Sequence, residues 1–284
     1  MPPHQSQHGS HFDLQATSHA KVALCLEACI AAPTSYQADG YVGAEITYRS
    51  RDDWPHFLAQ TRVQLEPLPE GLHLTAASYF ALSSPDLVTE PDLAHKLALY
   101  VDGSASHGMA AWSVVAVHYD SDGVPALKGT LSGLVELNQA CNGWVGADHA
   151  DNISAELTAA LAAMVYAICG DHYDDVVVRP DLTLSAQLAC LAWRCQSHPA
   201  LGQLCQLLGS WFHKTGGCFV EVRGHSRHAW NDLADSLAKW TLAASQPVGA
   251  LDWSPFHELL STGDIRWAWL MTASSQFHQC FPTG

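Results

Sequence analysis

Leu97-Ala-Leu-Tyr-Val-Asp-Gly-Ser104 opens the stretch of the chain whose pattern decides the fold. Leu97 to Val101 is a short β-type run ending at Asp102-Gly103. That places a carboxylate at the C-terminal end of a strand, where sites of α/β sheets form. Taken alone, the tripeptide also fits a plain Asp-Gly turn. Trp112 to Tyr119 is a second run, β-branched and aromatic, and Asp120 to Gly123 is a turn. Leu127 to Leu137 is a third run, weakened by Gly129 and Gly133. Together these predict an antiparallel meander. Ala150 to Cys169 reads as a helix, with Asp151 or Asn152 as N-cap and Leu157, Leu161, Met164 and Ile168 near one face. Val176 to Val178 is apolar at every position, as a buried parallel strand is. Ala186 to Cys195 and Leu201 to Phe212 are amphipathic helices, Cys218 to Val222 is a fifth strand, and Trp230 to Ala244 is a closing helix. The order predicts an α/β domain: a five-stranded mixed sheet of three meander strands and two parallel crossover strands, flanked by helices.

Four acidic residues occupy distinct settings on this frame: Asp102, Glu156, Asp181 and Asp235. Glu156 follows Asn152 by four residues, so both fall on one helix face. Asp181 follows a strand and precedes a helix. Singly, Glu156 is a helix-start glutamate favoured by the dipole and Asp181 an N-cap after Pro180. The segment around Asp235 is more specific. His225 lies on a loop, and Asn231 and Asp235 are four apart on the helix after it. Four carboxylates gathered in a fold repel one another unless divalent cations neutralise them. Two ions held by carboxylates are the usual apparatus for in-line phosphodiester hydrolysis.

Residues 96–245 resemble a ribonuclease H domain of the retroelement type. The matching stretches are Tyr-Val-Asp-Gly-Ser (100–104), Asp-Asn-Ile-Ser-Ala-Glu-Leu (151–157), Val-Val-Val-Arg-Pro-Asp (176–181) and Gly-His-Ser-Arg-His-Ala-Trp-Asn-Asp-Leu-Ala-Asp-Ser-Leu-Ala (224–238), in the family's order on its βββαβαβα scheme. The resemblance implies a ribonuclease H-like fold. It implies that Asp102, Glu156, Asp181 and Asp235 are catalytic carboxylates holding two Mg²⁺ ions, with Mn²⁺ as a substitute. It implies that His225 is a mobile histidine assisting proton transfer or product departure. Asn152 matches a position that contacts the hybrid backbone, and Gly103, Ser104 and Asn231 complete the expected substrate-binding set. The expected activity is endonucleolytic cleavage of the RNA strand of an RNA–DNA hybrid, with reverse transcriptase or other retroelement-derived domains as partners. The chain departs from the family at Leu182, where a serine is usual, and at Arg227, where a glycine is common. No basic helix intervenes between Ala186 and Phe212.

Composition bounds the reading. Of 284 residues, 48% are hydrophobic and 14% charged, ample for a core. The formal charge of -15 is unusual for a nucleic-acid ligand, since phosphate binding draws on Lys and Arg. This acidity favours a competing class: a catalytically weak or inactive module of the same fold, acting as a structural or interaction part of a retroelement-derived protein. A related-fold nuclease or integrase-type enzyme with another substrate is a third class. A nucleophile elbow at Gly224-His225-Ser226-Arg227-His228 fails because the turn needs Gly where His228 stands.

Residues 1–16 are expected to be disordered. Residues 17–95 match no module, with Ala20 to Ala31 helix-compatible, Tyr41 to Tyr48 and Leu72 to Leu82 extended, and Ser83 to Asp92 a linker. Residues 246–284 are an aromatic-rich extension. Nine cysteines show no Cys-x-x-Cys pair, and free thiols in a reducing compartment are expected. Cys25 and Cys29, with His4, His8, His11 and His19, are a second, soft-metal alternative. No secretory signal or membrane span is expected, so a soluble intracellular protein is the default.

Overall fold

The computed structural model of the chain describes residues 61–169, 175–181, 185, 195–214, 216–222 and 228–262. By its contacts the chain divides into two units, Met1–Ile46 and Thr47–Gly284, and every described residue belongs to the second. The expectations for residues 1–60, the helix at Ala186 to Cys195 and His225 lie outside the described residues.

The elements run β1 (Val63–Gln64), α1 (Ala76–Ser83), β2 (Leu97–Ser106), β3 (Met109–Tyr119), β4 (Pro125–Leu134), α2 (Asn152–Cys169), β5 (Val176–Pro180), α3 (Pro199–Lys214), β6 (Cys218–Phe219), α4 (Ala229–Ala244), β7 (Ala250–Leu251) and α5 (Ser254–Thr262). The main sheet has the order β4-β3-β2-β5-β6. β2, β3 and β4 pair antiparallel; β2–β5 and β5–β6 pair parallel. This is the five-stranded mixed sheet, three meander strands and two parallel ones, that the sequence predicts.

Alternation along β2 sorts the core into two layers. Leu97, Leu99 and Val101 pack with the buried residues of α2 and α3; Ala98 and Tyr100 pack with those of α4. α2 is buried nearly all round, from Ser154 through Ile168 except Tyr166, because the sheet covers one side and α3 another. It is long and apolar enough to cross a bilayer, yet most of it is buried inside the fold.

Four expectations are corrected. β2 does not end at Val101 but runs on to Ser106, because β3 continues to pair with it through Ser106↔Met109. The third strand is Pro125–Leu134 rather than Leu127 to Leu137, and ends where pairing with β3 stops. Leu72 to Leu82 is not extended: Thr75 caps α1 by accepting the Ser78 N–H at 3.1 Å, and the helix buries Ser78 and Ala81. Ser83 to Asp92, expected as a linker, carries two 3₁₀ turns, and Glu90 at its end joins a network of side chains on β2, β3 and β5.

The flanking segments cover the β4 edge of the sheet. Glu66 bridges Thr130 on the edge strand β4, and Val248 bridges Ser132. β1 pairs antiparallel with β7, so chain before and after residues 96–245 meets there. Trp253 stands edge-on to Trp112 of β3 at 5.7 Å, placing part of the aromatic-rich extension on the core.

Candidate active site

The site begins with a mismatch in strand length. β5 ends at Pro180, opposite Val101, while β2 continues five residues further. Past that point β2 has no parallel neighbour, and Asp102 is the first residue beyond the pairing. The chain leaving β5 reaches Asp181 one residue later. From the other layer, α2 presses against β2 at Gly103. A Cβ on Gly103 would lie 2.5 Å from the Glu156 nitrogen and 2.7 Å from Ala155 carbons, so only glycine permits this approach. Glu156 is thereby brought beside Asp102.

Carboxylate oxygens of Asp102, Glu156 and Asp181 lie within 4.8 Å of one another. Asp102 is 5% and Glu156 7% exposed. The Gly103 N–H donates to Asp102 Oδ1 at 2.7 Å, while Glu156 Oε2 is buried with no hydrogen-bond partner. Burial, then the charges of Asp181 and Asp235, push the Asp102 carboxyl up to about 8. Burial, then the Asp102 and Asp181 charges, raise Glu156 well above the ordinary carboxylate range.

Asp235 stands slightly apart. α4 is fixed across β2 and β3 by the Ser113 hydroxyl, which donates to the Ala234 carbonyl at 2.7 Å, and Ser113 is the β3 partner of Asp102. Asp235 follows at once. It is close enough to act on Asp102 electrostatically, but its own Oδ2 accepts a 2.7 Å ion pair from the exposed Lys239. Asn231, one turn earlier on α4, is 5% exposed, and its Oδ1 is buried without a hydrogen-bond partner. Asn152 is exposed at the first position of α2. Ser104 follows Gly103, half-buried, in β2.

A buried, orphaned carboxylate oxygen among three clustered carboxylates is the donor set of a hard divalent cation. The residues present therefore fit Mg²⁺ or Mn²⁺. Asp102, Glu156 and Asp181 would hold it, with Asp235 beside them.

A second group is His149, Asp151 and His198, whose ligand atoms also cluster within 4.8 Å. Its hydrogen bonds give it another role. The Asp148 N–H donates to His198 Nδ1 at 3.2 Å, so the imidazole proton sits on Nε2 and points at Asp151 Oδ1, 3.1 Å away. That nitrogen has no lone pair to offer a metal. Asp151 Oδ1 also accepts the Ser154 N–H at 2.7 Å and so caps α2. Burial would raise Asp151, but the Ser154 N–H, His198 and His149 hold it below the ordinary range. His198 is fully buried. It thus fixes the N-terminus of the helix that carries Glu156. The sequence offers no spacing that would reveal it, since His198 lies 47 residues from Asp151.

No family profile and no curated protein matches the chain. Among solved structures it is similar to the N-terminal RNase H domain of rv2228c from Mycobacterium tuberculosis, at 20% identity and TM-score 0.40, covering 54% of this chain and 96% of that one. It is similar to LC11-RNase H1 in complex with an RNA/DNA hybrid, at 20% identity and TM-score 0.39, covering 53% of this chain and 99% of that one. It is also similar to the Prototype Foamy Virus protease-reverse transcriptase, at 18% identity and TM-score 0.40, covering 51% of this chain and 20% of that one.

Proposed function

We propose that the protein is a metal-dependent nuclease that hydrolyses the RNA strand of RNA–DNA hybrids. One observation carries the proposal: Asp102 from within β2, Asp181 from just past β5 and Glu156 from a buried helix meet within 4.8 Å although two of them are buried and all three repel. Such an arrangement lowers stability in the absence of a cation, and a bound cation would relieve it. Bound divalent cations supply the Lewis acidity for in-line attack on a phosphodiester. The chain's own part is to hold the charge set rigidly. β2 fixes Asp102, the Gly103 contact fixes Glu156 beside it, and the end of β5 delivers Asp181. Asp235 adds negative charge from α4, tempered by Lys239. Asn152, exposed at the head of α2, would touch a sugar–phosphate backbone. The role of His225, proton relay, rests on the sequence resemblance.

Recognition through 2′-hydroxyls in a shallow groove implies weak sequence preference. The test is cleavage of a hybrid with Mg²⁺ by the wild type and by Asp181→Asn, alongside duplex DNA and single strands. Hybrid-specific cutting abolished in the variant supports the proposal; equal rates in both end the site assignment.

The net charge of -15 favours a second reading, a module of this fold that no longer cleaves. Such a module would show no Mg²⁺- or Mn²⁺-dependent gain in thermal stability.

A further inference from the structure

We propose that Glu90, supplied by the segment ahead of the sheet, is a positioning residue for the carboxylate pocket, tying the end of β5 to the start of α4. The inference rests on the reading of that pocket as a metal-dependent nuclease site.

Glu90 sits where three elements converge. Its Oε1 accepts from the Tyr119 hydroxyl at 2.6 Å and the Tyr100 hydroxyl at 3.0 Å, and faces His228 Nε2 at 3.2 Å. Its Oε2 lies 3.8 Å from Arg179 Nη1. The two tyrosines are fully buried and stand on β2 and β3, their hydroxyl oxygens 2.7 Å apart. They form a rigid floor, and burial pushes both phenols upward, so they stay protonated and donate. Burial would raise Glu90 as well. The hydrogen bonds from His228 and Tyr119, with the charges of His228 and Arg179, instead hold it down at about 2.

The two basic partners are the link to the site. Arg179 precedes Asp181 by two residues, at the last turn of chain that β5 controls. Its guanidinium lies 5.7 Å over the Tyr100 ring, and the His228 ring lies 5.0 Å from the same ring. His228 is the N-cap residue of α4, which carries Asn231 and Asp235. One carboxylate therefore sets two pieces of chain that bring acidic residues to the pocket from opposite sides. The same segment holds α4 independently, through the Ser78 hydroxyl, which donates to the Ala229 carbonyl at 2.8 Å, and Thr75, which reaches Asp232 at 3.4 Å. Among the described residues these contacts give the segment at 61–95 a purpose that no sequence motif suggests.

The test is Glu90→Gln in the full chain, which keeps an acceptor for the tyrosines but removes the charge that pairs with Arg179 and His228. Mn²⁺ binding is followed by electron paramagnetic resonance, and hybrid cleavage is followed against Mg²⁺ concentration. Direct outer partners of metal-holding groups are commonly worth ten- to a hundredfold; Glu90 acts one step further out, through Arg179 and His228, so the Mn²⁺ dissociation constant and the Mg²⁺ requirement should each rise by about tenfold, the lower end of that range. The KM for hybrid should stay within about twofold, since Glu90 touches no substrate surface. Ser132→Ala is the control: it removes the buried 2.6 Å bond to Thr241, neither of which contacts Glu90, and should lower the melting temperature without moving the metal constants. Should Glu90→Gln fail to fold, Arg179→Gln carries the same expectation, because it removes the charge that faces Glu90 Oε2.

A folded Glu90→Gln with wild-type Mn²⁺ affinity overturns the inference. So does equal metal weakening in Ser132→Ala, which would make the effect one of stability. If the wild type binds Mn²⁺ and cleaves while Glu90→Gln matches it, this inference alone fails. If the wild type binds no Mn²⁺, the nuclease reading fails and this inference with it.

Discussion

Gly103→Ala is the smallest change that should open the pocket. The added methyl would stand 2.5 Å from the Glu156 nitrogen, 2.7 Å from the Ala155 carbonyl carbon and 2.7 Å from the Ala155 Cβ. Ordinary carbon contacts are about 3.5–4.0 Å, so helix α2 and strand β2 must part by roughly 1 Å. None of the three atoms is the end of a flexible side chain, and rotamer changes cannot absorb the clash. Overpacking of this kind costs about 1–3 kcal/mol. At roughly 2–4 °C per kcal/mol for a domain of this size, the melting temperature should fall by about 2–12 °C. The greater effect should be on the site. Glu156 leaves Asp102 by the same 1 Å, and a displacement of that size costs on the order of 100-fold in rate. Gly108→Ala is the matched control. Its φ of +74° makes alanine unfavourable, but the space around it is open and it lies on the β2–β3 turn away from the carboxylates. It should lose stability and keep metal binding. Calorimetric Mn²⁺ titration and melting of both variants decide the matter. A Gly103→Ala protein with wild-type Mn²⁺ affinity, or a Gly108→Ala protein that loses as much, would refute the packing argument.

Other consequences are as specific. Asp102 is raised from an ordinary 3.8 to about 8 and Glu156 is raised with it, so the folded state holds protons that the unfolded chain has released. In the absence of metal, their contribution is fully present below about pH 4 and is lost as pH rises toward 8, at up to about 1.4 kcal/mol per pH unit for each proton. Melting in chelator across that range should show the decline, and added Mg²⁺ should remove it; a flat profile would mean the carboxylates do not repel. Asp151→Ala removes the cap of α2 and leaves the Nε2–H of His198 buried without its acceptor, costing about 1–3 kcal/mol in urea unfolding. Tyr119→Phe deletes the 2.6 Å bond to Glu90 and the 2.7 Å bond to Tyr100, and should cost about 1–2 kcal/mol by the same measurement.

What the sequence revealed follows from how local each signal is. The five strands and the long helix are written in contiguous runs, whereas the meeting of Asp102, Glu156 and Asp181 is anticipated only through the resemblance of the stretches around them, since each residue alone fits a turn, a helix start or an N-cap. The position of Asp102 was read as a strand end. It is an end only relative to β5, since β3 carries β2 onward, and pairing partners are not visible in a single run. Gly103 looked like a turn glycine, and its real constraint is a helix 50 residues away. α1 was missed because Leu72 and Leu74 alternate like a strand, whereas the deciding residue is Thr75, whose hydroxyl begins the helix. Glu90 and His198 were invisible for a simpler reason. Arg179 lies 89 residues from Glu90 and Asp151 lies 47 from His198, and an isolated acid has no pattern to announce it.

Mutual repulsion relieved by a cation is the claim on which the rest depends, and Asp102→Asn melted against Mg²⁺ near neutral pH tests it most directly. The amide has the shape of the carboxylate without its charge. The metal-free variant should melt above the metal-free wild type. The wild type should gain about 2.7 kcal/mol at Mg²⁺ a hundredfold over its dissociation constant, and the variant far less. A wild type indifferent to Mg²⁺, with a variant no more stable than it, would contradict the account.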